Sequence, residues 1–206
     1  MNNPIRTIGL MGGTFDPIHY GHLVTAEAAR CEFNLDKVIF VPSGQPPHKK
    51  STGITPAQQR FQMTTEAIAS NPFFEVSRVE MDRPGPSYTV DTVKHFQHHY
   101  GSEVKIYFIT GADAILEILT WKKVEKLMDY CYFIAATRPG YQLEELQHCL
   151  RDLPAKYLAG ICSLAVPGMA ISSTDIRERV AKGRSIKYLL PEKVELYIAE
   201  NTLYTV

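Results

Sequence analysis

The stretch Gly12-Gly13-Thr14-Phe15-Asp16-Pro17-Ile18-His19-Tyr20-Gly21-His22 gathers residue types suited to holding a bulky anion. Two glycines let a backbone approach such an anion closely. Asp16-Pro17 turns the chain. His19 and His22 fall where a helix begins, and free N–H groups and the helix dipole there favour phosphate. A spacing of three puts both imidazoles on one side of that turn. Gly21 between them leaves room for a nucleotide. The pattern is neither a Walker A loop nor a GxGxxG turn, so it is a third kind of phosphate cradle. A second stretch, Ile171-Ser172-Ser173-Thr174-Asp175-Ile176-Arg177, again collects hydroxyls and free amides at a helix start. Arg177 lies one turn in, where its guanidinium can reach phosphate oxygens. N-capping by Ser172 or Ser173 is the structural reading of the same residues.

Other chemistry-bearing positions are scattered. Ser87 opens an expected helix, where the amides of Tyr88 and Thr89 could receive a carboxylate. Trp121 is the only tryptophan. It suits a flat aromatic ring, or core packing beside Ile115, Leu116, Ile118 and Leu119. Asp113 follows a strong strand through Gly111, and an acid there suits ribose hydroxyls, or caps a helix. Lys49 and Lys50 fit a solvated loop. Arg138 follows a strand, where either a site or plain surface would accept it. His95, His98 and His99 read as surface. His19, His22, His48 and Asp16 could alternatively ligate a transition metal in a hydrolase.

The elements that must position these groups alternate along the chain. Strands are expected at Ile5–Met11, Lys37–Val41, Phe73–Val79, Lys105–Thr110, Tyr130–Ala136 and Ile161–Val166. A helix follows Gly13, with Leu23, Ala26, Arg30 and Phe33 at helical spacing. Thr55 caps a helix with Pro56 in its first turn, running to about Ser70. Further helices run from Ser87 to about Tyr100, over Ser173–Lys182 and over Pro191–Glu200. Continuous apolar strands imply a parallel sheet covered on both faces. This is an α/β fold, a Rossmann-like doubly wound sheet flanked by helices, whose ligands bind beyond the carboxyl ends of the strands. Gln45–Gly53 (QPPHKKSTG) reads as a mobile flap after the second strand.

The 206 residues suit one α/β domain, with a C-terminal helical part (about 173–206) packed on the sheet. Lys+Arg and Asp+Glu number 22 each, so no basic excess supports general nucleic-acid binding. Any anion must be held by a local site. Cys31, Cys131, Cys149 and Cys162 form no CxxC pair and read as buried free thiols in a reducing compartment. The start has no signal-peptide pattern and the longest uncharged run is broken by Gly and Pro, so a cytoplasmic protein with no membrane partner is expected.

Taken together, Gly12–His22 and Ile171–Arg177 resemble the two signatures of the HxGH nucleotidyltransferase superfamily. Over nearly the whole chain the sequence is similar to its bacterial nicotinate-mononucleotide adenylyltransferases. Pro46-Pro47-His48-Lys49, Pro86–Thr92, Gly111-Ala112-Asp113 and Trp121 add to the likeness. The resemblance implies adenylyl transfer from ATP to nicotinate mononucleotide. ATP would lie on Gly12, Gly13, Thr14, Phe15, His22, Ile171, Ser172, Ser173, Thr174 and Arg177, with Gly111 and Asp113 near its ribose. His19, His22 and Arg177 would be catalytic. His48, Lys49, Ser87, Tyr88, Thr89, Trp121 and Arg138 would bind the mononucleotide. Mg²⁺ would come with the ATP phosphates, since no acidic cluster is present to bind it alone. Sister reactions on nicotinamide mononucleotide, phosphopantetheine or glycerol phosphate stay open, as does a non-catalytic nucleotide sensor. The oligomeric state is open too, a homo-oligomer included.

Overall fold

A computed structural model describes residues 4–46, 53–137, 150 and 154–205. Its elements follow in chain order: β1 (Thr7–Gly13), α1 (Tyr20–Glu32), β2 (Lys37–Pro42), α2 (Ala57–Ile68), β3 (Phe74–Val76), α3 (Val79–Asp82), α4 (Thr89–Tyr100) and β4 (Lys105–Gly111). Then come α5 (Ala112–Leu116), a single 3₁₀ turn (Ile118–Thr120), α6 (Val124–Tyr130), β5 (Tyr132–Thr137), α7 (Ala155–Leu158), β6 (Ile161–Ala165), α8 (Ser173–Ala181) and α9 (Glu192–Glu200).

Among the described residues, the strands form one sheet in the order β3-β2-β1-β4-β5-β6, every pair parallel. Successive side chains on a strand point to opposite faces, so each strand feeds two cores. From β1, Ile8 and Leu10 enter one cluster with Val90, Val93 and Phe96 of α4 and Leu127 of α6. Met11 enters the other with Ala26 and Ala29 of α1, Ile176 of α8, and Val194 and Ile198 of α9. Helices therefore cover both faces, which is the doubly wound, Rossmann-like arrangement. No described helix is long and apolar enough to cross a membrane.

Several elements begin elsewhere than the sequence suggests. Thr55 is not the cap of α2; Pro56 takes that position without a side-chain bond, and the Thr55 N–H instead donates to Asp16 Oδ2 at 3.3 Å. The third strand is only Phe74–Val76, and Val79–Asp82 is a short helix. Tyr130 closes α6 rather than opening β5. Helix α4 starts at Thr89 with Tyr88 as its cap, so Ser87 lies outside it. Cys131 is buried, but Cys31 is exposed and Cys162 half-buried. Cys149 lies outside the described residues.

Candidate active site

The chain order reverses direction between β1 and β4. Neighbouring loops diverge at such a point and leave a crevice past the carboxyl ends of the strands. A cavity of about 370 Å³ sits there. It brings together Gly12, His19, His22, Gly111, Ile171, Ser172 and Ser173, from loops separated by more than half the chain. Gly21 and Thr25 of α1 also line it. Gly13, Thr14, Phe15, Asp113, Thr174 and Arg177 are not among the residues that line it.

His19 is the N-cap of α1 and His22 is in its first turn. Their ring centroids are 3.8 Å apart. The His19 N–H donates to His22 Nδ1 at 3.2 Å. That bond needs a lone pair on Nδ1, so it assigns the proton of the neutral ring to Nε2. Burial, and then the neighbouring His19, hold the His22 pKa down to about 3. His22 is thus a neutral imidazole at physiological pH and offers one N–H donor. Gly21 has little room for a side chain, because a Cβ there would sit 3.0 Å from the His19 imidazole. Gly13 is small for another reason than anion approach: a Cβ there would meet the Phe15 ring at 2.7 Å. Phe15 is buried, with its ring edge-on to His22 at 5.1 Å. It supports that imidazole from behind.

The cradle loop is tied down from two sides. From α2, the 1% exposed Arg60 donates to the carbonyls of Thr14 (2.6 Å), Ser43 (2.7 Å) and Thr55 (2.8 Å). One guanidinium thus joins the loops after β1 and β2 to the start of α2. From α8, Arg177 Nη1 donates to the Asp16 carbonyl at 2.7 Å, and the Ser173 hydroxyl to the Pro17 carbonyl at 2.9 Å. Ser172 caps α8, accepting the Asp175 N–H at 3.1 Å. The Asp16 carboxylate accepts the Tyr204 hydroxyl at 2.8 Å. None of Arg60, Thr55 and Tyr204 stood out in the sequence as a site residue. Arg60 carried a faint signal, since it shares the buried stripe of α2 with Met63, Thr64 and Ala67.

A second group lies on the other face of the sheet. The N–H groups of Tyr88, Thr89 and Val90, at the start of α4, have no acceptor among the described residues. Ser87 itself is occupied. Its N–H donates to the Gln45 carbonyl at 2.9 Å, and its hydroxyl oxygen accepts the Gly44 and Gln45 N–H groups at 3.0 and 3.2 Å. Ser87 therefore ties the start of α4 to the loop after β2, and the amides beyond it are the ones left without a described acceptor. Trp121 packs edge-on against Phe108 (5.8 Å) and Phe133 (6.2 Å), yet stays half-buried. Phe108 also lies under Gly12, where a Cβ would be 3.0 Å from its ring. One aromatic side chain thus connects the cradle to Trp121. Lys122 Nζ sits 3.6 Å over the Tyr88 ring. Asp113 is exposed in the first turn of α5, and Gly111 rather than Asp113 is the N-cap. His48, Lys49 and Arg138 lie outside the described residues.

Of the four residues in the metal-hydrolase reading, His48 lies outside the described residues. His22 Nδ1 is taken by a backbone N–H and both Asp16 oxygens accept hydrogen bonds. No group of three His, Cys, Asp or Glu side chains that could hold a metal occurs among the described residues.

The cytidylyltransferase-like family model matches residues 10–179, from the cradle through Arg177. A relative from Moorella thermoacetica, named as a nicotinate-nucleotide adenylyltransferase, is 64% identical over 96% of this chain and 91% of its own. The chain belongs to this family of nicotinate-nucleotide adenylyltransferases. A relative of the same name from Desulfitobacterium hafniense strain Y51 is 51% identical over all of this chain and 99% of its own. Among solved structures, the Plasmodium falciparum nicotinic acid mononucleotide adenylyltransferase complexed with NaAD superposes with a TM-score of 0.78. It is 22% identical and covers 97% of each chain, so it supports the family's fold.

Proposed function

We propose that the protein transfers the adenylyl group of ATP to nicotinate mononucleotide, releasing pyrophosphate and forming nicotinate adenine dinucleotide. One observation carries the reading. A pair of packed histidines at the start of α1 lines the β1/β4 crevice, Arg177 of α8 is bonded to the loop before them, and on the other face of the sheet α4 begins with open amides. The first group suits a polyphosphate; the second suits a pyridine carboxylate.

The nucleophile is the mononucleotide's phosphate oxygen, which attacks the α-phosphorus of ATP. A bond to that phosphorus forms, and its bond to the bridging oxygen of the β-phosphate breaks. The nucleophile is already ionised, so no side chain need remove a proton. The protein's contribution is placement and charge stabilisation. His22 Nε2–H, with His19, donates to oxygens of the reacting phosphate. Arg177 and the amides at the start of α8 hold the β- and γ-phosphates as they leave. Gly111 and Asp113 lie on the ribose side. Gly12, Gly13, Thr14 and Phe15 shape the cradle.

The donors lining the cradle are imidazole, amide and hydroxyl groups, which fit phosphate oxygens rather than a bare cation. Mg²⁺ would therefore be held by the substrate rather than by described side chains, and would supply charge neutralisation for the phosphates. The open amides of Tyr88 and Thr89 would receive both carboxylate oxygens, with Trp121 against the ring and Ser87 fixing the loop beneath. His48, Lys49 and Arg138 remain assigned to this acceptor half by resemblance.

Pyrophosphate release with ATP and a panel of acceptors tests the reading. The panel should hold both pyridine mononucleotides, phosphopantetheine and glycerol phosphate. Release with nicotinate mononucleotide in clear excess over the others is expected. Release only with a non-pyridine acceptor would overturn it.

A further inference from the structure

The end of the chain returns to the cradle. Tyr204 lies beyond α9, with a φ of 63°. A tyrosine in the left-handed region is unfavourable alone and persists where its surroundings over-determine it. Here Leu203, buried beside it, anchors the turn in the core, and the Tyr204 hydroxyl reaches across 188 positions to Asp16 Oδ1 at 2.8 Å. Asp16 is 4% exposed, so its carboxylate has exchanged water for two donors, the Tyr204 hydroxyl and the Thr55 N–H. Its carbonyl meanwhile accepts Arg177 Nη1 at 2.7 Å. Arg177 makes no ion pair with a described carboxylate. Its other bond is a longer 3.4 Å contact to the Thr174 hydroxyl. Asp16 is thus a hub whose side chain faces the C-terminus and whose main chain faces the arginine.

We propose that Tyr204 is a positioning residue, which holds the Asp16 carboxylate and thereby fixes the carbonyl that aims Arg177 at the leaving phosphates. This rests on the role given to Arg177 above and extends the working site to the end of the chain. A phenol is suited to the task. Burial and the adjacent Asp16 charge push its pKa well up, so it stays a donor throughout the physiological range. Phenylalanine would fill the same space but leave Asp16 Oδ1 buried without its donor. The loop would then shift to rehydrate that oxygen, and its carbonyl would shift with it. Displacements of about 1 Å from productive geometry can cost on the order of 100-fold in rate.

The test is Tyr204→Phe alone and combined with Arg177→Ala. Alone, kcat should fall about tenfold or more. KM for the mononucleotide should hold within about twofold, and the melting temperature should fall by only a few degrees. On the Arg177→Ala background the same change should leave kcat nearly unaltered, because the residue it acts through is gone. A purely structural tyrosine would multiply the two losses. Unchanged kcat in Tyr204→Phe, or its full loss recurring without Arg177, would overturn the proposal. If Tyr204→Phe does not fold, Asp16→Ala removes the acceptor of the same bond and is read in the same cycle. A parent protein that releases no pyrophosphate from ATP and nicotinate mononucleotide would sink the proposed function. Tyr204 is then judged by calorimetric ATP binding, expected to weaken with Tyr204→Phe only while Arg177 is present; an unmoved Kd overturns it.

Discussion

His22 is a neutral imidazole in the folded chain, and that has consequences in acid. Its folded pKa of about 3 lies below the ordinary 6.5. Below about pH 6.5 the unfolded chain takes up a proton that the folded chain refuses, so stability falls as pH drops from 6.5 towards 3. Above 6.5 this contribution is level. The slope is at most ~1.4 kcal/mol per pH unit for one proton. Chemical denaturation of the ligand-free protein between pH 4 and 7 measures it, and His22→Gln should flatten the curve by about one proton. In turnover, His22→Ala should lose ~2.7–4 kcal/mol of transition-state stabilisation, the scale for removing one preorganised donor. Arg177→Lys keeps the charge but loses the fork that bonds the Asp16 carbonyl while reaching phosphate. Steady-state kinetics should show a large fall in kcat and a smaller change in KM for the mononucleotide. If only mononucleotide affinity changes, Arg177 serves the other half of the site. These residues were legible in the sequence because each signature is a contiguous run at a strand–helix junction. Arg60 and Tyr204 were not, because their partners lie up to 188 positions away and nothing local marks an inward-facing arginine or a C-terminal phenol.

Helix starts carry most of the site's geometry. Ser172 caps α8 by accepting the Asp175 N–H. Ser172→Ala should cost about 1 kcal/mol of stability by denaturant titration. Cap and helix were both foreseen there, because the hydroxyl precedes an amphipathic run. At α4 the boundary moved by two residues, since Ser87 is claimed by Gly44 and Gln45 from another loop. No local pattern announces that competition. Thr55 is not the cap because the helix starts one residue later, with Pro56 in the cap position. Trp121 packs on Phe108 and Phe133, as the core-packing reading of its sequence context had it, and is half-buried. A stacking ring does not discriminate between two flat pyridines. Trp121→Ala should therefore weaken kcat/KM for the acid and amide mononucleotides by similar factors. A changed acid-to-amide ratio in that variant would give Trp121 a role in selecting the substituent.

At the scale of the molecule, the parallel order β3-β2-β1-β4-β5-β6 creates the crevice at β1/β4, with the cradle lining it and α4 covering the other face of the sheet. Strand–helix alternation and unbroken apolar runs made that topology readable, because strands buried on both faces cannot alternate polar with apolar. The same layout yields a chemical preference. Amides at the start of α4 are donors only. A carboxylate accepts at both oxygens, whereas a carboxamide must turn its NH₂ towards a donor and leave it unpaired. Such a mismatch costs ~1–3 kcal/mol, roughly ten- to a hundredfold in kcat/KM, and the helix dipole acts in the same direction. The decisive measurement is pyrophosphate release with ATP and each pyridine mononucleotide, run side by side on the unaltered protein. A kcat/KM about ten- to a hundredfold higher for the acid is the expected result. Parity, a preference for the amide, or no release with either would contradict it.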